Sequence, residues 1–181
     1  MWLHTEAETV EGDLSIALLV SNLVAFLSLL LVPWYAGASI VSFPSAEGSG
    51  ANAIGGRGGQ VFKVTNLNSS GPGSLQAACD AHGPKIVVFE VGGVIRGDVV
   101  IRHSRITIAG QTAPSPGITI EGRLLSRPEP WKRLNDIVVR FIRIRPPPAT
   151  GYDGDAVQLP ETERVVLDHL SLSWANDEMI D

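Results

Sequence analysis

A right-handed parallel β-helix, an all-β solenoid with a short N-terminal capping helix, is the fold this sequence predicts. Three observations lead to it. After residue 56 the chain is a succession of short β-branched runs separated by Gly, Pro and Asn: "KIVVFEVGGVI", "DVVI", "RITIAG", "GITIEG", "DIVVRFIRIRP", "DAVQL" and "RVVLDHLSLSW". Two of them align without a gap, Ile137 on Val165, Val139 on Leu167, Ile142 on Leu170 and Ile144 on Leu172. In both, the apolar residues pass from odd to even positions partway along. A straight strand cannot do that and keep one face buried, so each run turns a corner. Units of this kind recurring every ~20–50 residues mark a solenoid, with coils stacked about 4.8 Å apart and Ile, Val and Leu in columns. A β-sandwich is the competing architecture. It would show hairpin turns and regular polar/apolar alternation, and both are weak here.

Taken in order, residues 1–38 stand apart from residues 39–181. Leu14 to Val32, "LSIALLVSNLVAFLSLLLV", is a continuous apolar run of nineteen residues, long enough for a membrane-crossing helix or the core of a secretion signal. Ala36 and Ala38 supply a small-x-small cleavage pattern, whereas the flank before the run is acidic rather than basic. A cleaved signal, an uncleaved anchor and a buried helix all remain open. The first two put the body outside the cytoplasm, and only the second ties it to a membrane. In "GSLQAACDAHG", residues 74–82 read as a helix, with Ser74 at its start and Gly83 past its end. That helix would cap the stack. Cys79 is the only cysteine, so no internal disulfide forms, and a small buried apolar role suits it. Asn68-Ser69-Ser70 is a glycosylation sequon, relevant only in a eukaryotic secretory pathway.

Charge narrows the function. The net charge of -5 resides in the first 56 residues, which hold five acids and no Lys or Arg. The remainder is balanced and shows no basic patch, which excludes a nucleic-acid binder. "GSGANA" satisfies a dinucleotide fingerprint without the strand and helix it needs. Asp168, His169 and Ser171 lie too close together in one strand to make a triad.

The carboxylates are more informative. "YDGDAV" places Asp153 and Asp155 two apart, but Val157 and the lack of a Glu at the twelfth position rule out an EF-hand. Asp181 follows Asp155 by nearly one coil, so the two should be neighbours on adjacent coils. Asp177 precedes Asp181 by four residues, roughly 13 Å along a straight strand, so sharing an ion requires a bend. With the bend, Asp155, Asp177 and Asp181 form an oxygen cluster suited to calcium; without it they are a solvated acidic rim.

The blocks "FPSAEGSGANAIGGRGGQVFKVTNLNSSGPGSL", "VVFEVGGVI", "ITIAGQTAPSPGITI", "DGDAVQL" and "VVLDHLSLSWANDEMID" resemble the N-terminal half of a secreted pectate lyase, from about Phe43 to Asp181. The resemblance implies the same β-helix, and cleavage of pectate (polygalacturonate) by β-elimination with calcium. It implies that Asp153, Asp155, Asp177 and Asp181 hold Ca2+, which bridges to a substrate uronate. It puts the base, an arginine, in sequence beyond Asp181, so the chain is expected to be an N-terminal portion. The isolated 39–181 segment is then expected to be inactive and poorly soluble, and the protein a monomer. Arg143 and Arg145 point outward and could meet the polyanion, although a plain surface role competes. Asp168 and His169 are read as architecture, with Asp168 neutralised by Arg140 one coil below. Two other readings stay open: a metal-independent glycoside hydrolase on the same fold, and a non-catalytic solenoid that binds acidic glycans.

Overall fold

The computed structural model describes residues 40–148 and 154–181; the apolar run at 14–32 and Asp153 lie outside them. Among the described residues the elements run β1 (Gln60–Val64), α1 (Leu75–Asp80), β2 (Lys85–Phe89), β3 (Gly93–Arg96), β4 (Val99–Ile101), β5 (Ile106–Ala109), β6 (Ile118–Glu121) and β7 (Leu124–Ser126). There follow β8 (Leu134–Arg140), β9 (Ile142–Ile144), β10 (Val157–Gln158), β11 (Thr162–Asp168) and β12 (Ser171–Leu172). No described helix is long and apolar enough to cross a membrane.

The strands form three parallel sheets. Sheet A is ordered β1-β2-β5-β8-β11, sheet B β3-β6-β9-β12 and sheet C β4-β7-β10. From β2 onward sequence neighbours fall in different sheets, and each strand pairs with its counterpart one coil away. The fold is a parallel β-solenoid, as the repeat predicted. The predicted register also holds: Ile137 pairs with Val165, Val139 with Leu167 and Ile144 with Leu172. The inward residues form columns, Ile106–Ile137–Val165 in sheet A and Ile118–Ile142 in sheet B. Val99–Leu124–Val157 is the column in sheet C. Burying each such side chain contributes about 1.5–3 kcal/mol.

The parity switch has a local cause. Phe141 and His169 occupy the same corner on successive coils, and both adopt left-handed backbone, φ 55° and 51°. One residue in that conformation ends the sheet A strand and starts the sheet B strand with its apolar face still inward. The two rings stack, 4.4 Å between centroids. One coil below, the corner is held by Gly110, where a Cβ would overlap the carbonyl oxygens of Arg140 and Phe141.

Helix α1 closes the N-terminal end. The Ser74 hydroxyl accepts the Ala77 N–H at 3.1 Å, and Leu75, Ala78 and Cys79 face the core against β1, β2 and β4. Burial pushes the Cys79 thiol up to about 12, so it is a packing group and not a nucleophile.

The glycine-rich stretch 48–59 crosses the outer face of sheet A. A Cβ at Gly50, Gly56 or Gly59 would overlap the carbonyl oxygen of Val165, Lys85 or Pro84. Only glycine lets one backbone lie this close on another. Ala53, Val138, Val166 and Phe43 form a small second core beneath this strap.

Candidate functional site

Two regions could carry chemistry, and the chain from Trp174 to Asp177 links them. The first is an acidic cluster. Asp155 is buried just before β10, while Asp177 and Glu178 are exposed on the final stretch; one oxygen from each lies within 4.8 Å of the others. Residues 176–181 run parallel to 154–159. The Val157 N–H donates to the Met179 carbonyl at 3.1 Å, and the Leu159 N–H to that of Asp181 at 2.9 Å. The Glu178 N–H donates to Asp155 Oδ1 at 3.1 Å, which fixes the buried carboxylate. Glu178 is held above the usual carboxylate range, first by the hydrogen bond it shares with Asp177, with Asp155 adding to it. Three acids crowd one spot, and the hydrogen bond with Asp177 favours the protonated form of Glu178.

The structure therefore brings Asp155 and Asp177 together and adds Glu178, which the sequence reading passed over. Asp181 lies elsewhere, along a 440 Å3 cavity beside Glu47, Gly50 and Val165. The cause is a change of coil length. Counterparts are 28 residues apart where Asp168 meets Arg140 but 23 apart where Glu178 meets Asp155, so the upper coil rounds this corner in five fewer residues. A constant repeat carries Asp181 too close to Asp155.

The second region is a groove on the outer face of sheet B. Val94, Thr119 and Arg143 stand in register on β3, β6 and β9, with Ser171 next on β12. Val94, Thr119 and Arg143, with Glu121, Arg145, the proline run and Trp174, line a cavity of 370 Å3. Both arginines project outward, since Ile142 and Ile144 are buried. Arg143 Nε donates to Thr119 Oγ1 at 2.8 Å and Nη2 to the Pro116 carbonyl at 2.7 Å. Arg145 donates Nη1 to the Ile144 and Ser171 carbonyls and Nη2 to Ser171 Oγ at 2.7 Å. Its guanidinium lies 5.8 Å from the Trp174 ring centroid. Trp174 is exposed and has left-handed backbone, φ 71°.

Asp168 is a different kind of group. Arg140 Nε donates to Asp168 Oδ2 at 2.6 Å and His169 Nδ1 lies 2.8 Å from Oδ1. Burial raises the Asp168 pKa, but the hydrogen bonds from Arg140 and His169 outweigh it and leave it below the usual range. Its partners are in place, which makes it part of the frame.

No family model matches the chain. A protein of Aspergillus fumigatus described as probable pectate lyase C is 50% identical over 141 residues, 77% of this chain and 32% of that protein. The Aspergillus flavus protein of the same description is 44% identical over 161 residues, 88% of this chain and 36% of that one. Over this stretch the chain belongs to the pectate lyase family. A ragweed protein, pectate lyase 5 of Ambrosia artemisiifolia, is 25% identical over 159 residues, 75% of the chain and 38% of that protein. Among solved structures, Jun a 1, the major allergen from cedar pollen, superposes with a TM-score of 0.59 at 20% identity, covering 74% of this chain and 44% of that one. That likeness concerns the fold alone. The chain spans about a third of the length of the curated pectate lyases it matches.

Proposed function

We propose that this chain supplies the calcium- and uronate-binding side of a secreted polysaccharide lyase that cleaves pectate by β-elimination. The observation that carries the reading is the Asp155–Asp177–Glu178 cluster, three carboxylates crowded together beside a groove lined by two arginines. The donor set fits the ion: all three ligands are hard oxygens, and calcium takes such oxygens at about 2.3–2.6 Å. The raised pKa of Glu178, which comes first from its hydrogen bond with Asp177, supports the reading. Asp153, next but one to Asp155 in the sequence, is proposed as a further ligand. Asp181, which lines the 440 Å3 cavity, is not.

Bound calcium would neutralise a substrate carboxylate and acidify the adjacent C5 proton, which favours departure of the oxygen at C4. Asp155, fixed by the Glu178 N–H, provides the rigid ligand; Asp177 and Glu178 provide the exposed ones. Arg143 and Arg145 offer positive charge to a polyuronate along the groove. Neither is assigned as the base, because Nε and Nη2 of Arg143 and both terminal nitrogens of Arg145 already donate to acceptors on the protein.

Calorimetric titration of the purified chain with CaCl2 tests the site, and the outcome expected is one ion bound, lost in Asp155→Ala. Elimination is read from ultraviolet absorbance of the unsaturated product made from polygalacturonate by the full-length gene product. Abolition by chelator supports the lyase. New reducing ends without absorbance, unaffected by chelator, would replace it with hydrolysis.

A further inference from the structure

Trp174 and Arg143 share the sheet B groove, and their surroundings assign them different tasks. Trp174 is 67% exposed, yet it is not a loose surface ring: Arg145 lies over it and is itself pinned to Ser171 and Ile144. Pro147 and Pro148 line the same 370 Å3 cavity. This wall is apolar, rigid and unable to donate hydrogen bonds, because proline has no N–H. Arg143 lines the cavity too. Its Nε and Nη2 are used by Thr119 and Pro116, and among the described residues its Nη1 has no acceptor. Gly117 leaves room there, since a Cβ at that position would reach 3.6 Å from Nη1.

Resting on the reading above, we propose that this groove is a uronate subsite in which Trp174 is the platform for a pyranose ring and Arg143 takes its carboxylate. The axial face of a pyranose presents C–H groups, which pack on an aromatic face, while the rim of the ring is polar. A cavity with one flat aromatic wall and one unused guanidinium N–H, its carboxylate Glu121 already paired with Arg96, matches that amphipathic shape and charge. The two arginines are therefore not equivalent. Arg145 orients the tryptophan and Arg143 reads the acid. The subsite requires no metal, which separates it from the acidic cluster.

The test uses the full chain with trigalacturonate and its uncharged counterpart galactotriose as probes, in EDTA and again in calcium. Binding is read by calorimetry and by tryptophan emission. Trp174→Ala is expected to weaken trigalacturonate about tenfold in EDTA, and Trp174→Phe to restore most of it. Arg143→Gln should bring trigalacturonate down to the affinity of galactotriose, whereas Arg145→Gln should weaken both probes alike. Trp131, fully exposed and away from the groove, is the control: Trp131→Phe should change nothing. Melting temperatures verify that each variant is folded. If the wild type binds trigalacturonate but Trp174→Ala binds it equally well, the platform is overturned. If Arg143→Gln keeps the preference for the acid, the assignment of Arg143 is overturned. If the wild type binds trigalacturonate in neither medium, the uronate reading beneath it fails, and the subsite with it.

Discussion

The outer face of sheet A and the corner beyond sheet B treat their carboxylates differently. On sheet A two carboxylates are closed off by arginines. Arg164 donates Nε and Nη2 to the two oxygens of Asp136, each at 2.9 Å, and the Ile54 N–H adds a third bond at 3.0 Å. Arg140 closes on Asp168, and the glycine strap covers the face. Around sheet B and its corner, three carboxylates crowd together and Arg143 keeps an unused N–H. Ion pairs alone do not identify a site, because both faces carry ionised residues. What distinguishes them is whether the protein supplies the counter-charge itself.

The sharpest way to break this comparison is to lift the strap. In Gly56→Ala the new methyl would overlap the Lys85 carbonyl, so backbone must move; a loss of about 3 kcal/mol or more in urea denaturation is expected. Gly58→Ala is the comparison. It has open space and only its φ of 77° to strain it, for about 1–2 kcal/mol. Equal effects would mean that the strap is not in close contact.

Next comes the charge beneath it. Asp136 is 3% exposed as a residue, and its side chain only 4%. Asp136→Ala strands Arg164 and the Ile54 N–H, at a cost of about 2 kcal/mol, discounted because Arg164 is half exposed. The hydrogen bond from Arg164 is the main reason the Asp136 pKa is lowered. A depressed folded value contributes stability above the unfolded value of about 3.9, which is lost as the pH falls through the folded one. The gap in stability between wild type and Asp136→Asn should therefore be full at neutral pH and close in acid. A gap that did not change with pH would show that Asp136 acts by shape alone.

Much of the frame was legible in the sequence. The apolar columns of β8 and β11 are strong because the inward residues are Ile, Val and Leu, and the parity switch marked the corner at Phe141 and His169. Arg140 beneath Asp168 followed from the same alignment. The strands β1 and β7 were harder to find. β7 is only Leu-Leu-Ser, all three buried, with no alternation to reveal it. The strap read as a failed dinucleotide motif because close backbone approach leaves no signal beyond its glycines. Glu178 was missed, and Asp181 put near Asp155, because a repeat found on sheets A and B does not count residues in the corner to sheet C. Trp174 carried no signal at all, since an aromatic residue after a strand is commonplace.

Smaller effects test the open side. Calcium should raise the melting temperature of the wild type, because an ion that binds only the folded state stabilises it by mass action. Asp177→Asn should remove most of that rise without altering the melting temperature in EDTA by more than a few degrees. A calcium-induced rise that survived in Asp177→Asn would place the ion elsewhere.

The smallest effect is also the most discriminating, because its sign depends on the ion. Asp136 and Glu178 are both carboxylates in contact with other charged groups, and the same change to an amide should act on them in opposite directions. At Asp136 it removes the acceptor charge that Arg164 needs, so stability falls. At Glu178 it relieves repulsion from Asp177 and Asp155, so Glu178→Gln should raise the melting temperature slightly in EDTA, by less than Asp136→Asn lowers it. Add calcium and the sign reverses relative to wild type, since the amide is the weaker ligand. If Glu178→Gln instead lowers the melting temperature in EDTA, the three carboxylates do not repel one another. The acidic corner would then be as self-satisfied as sheet A, and the contrast between the two faces would be lost.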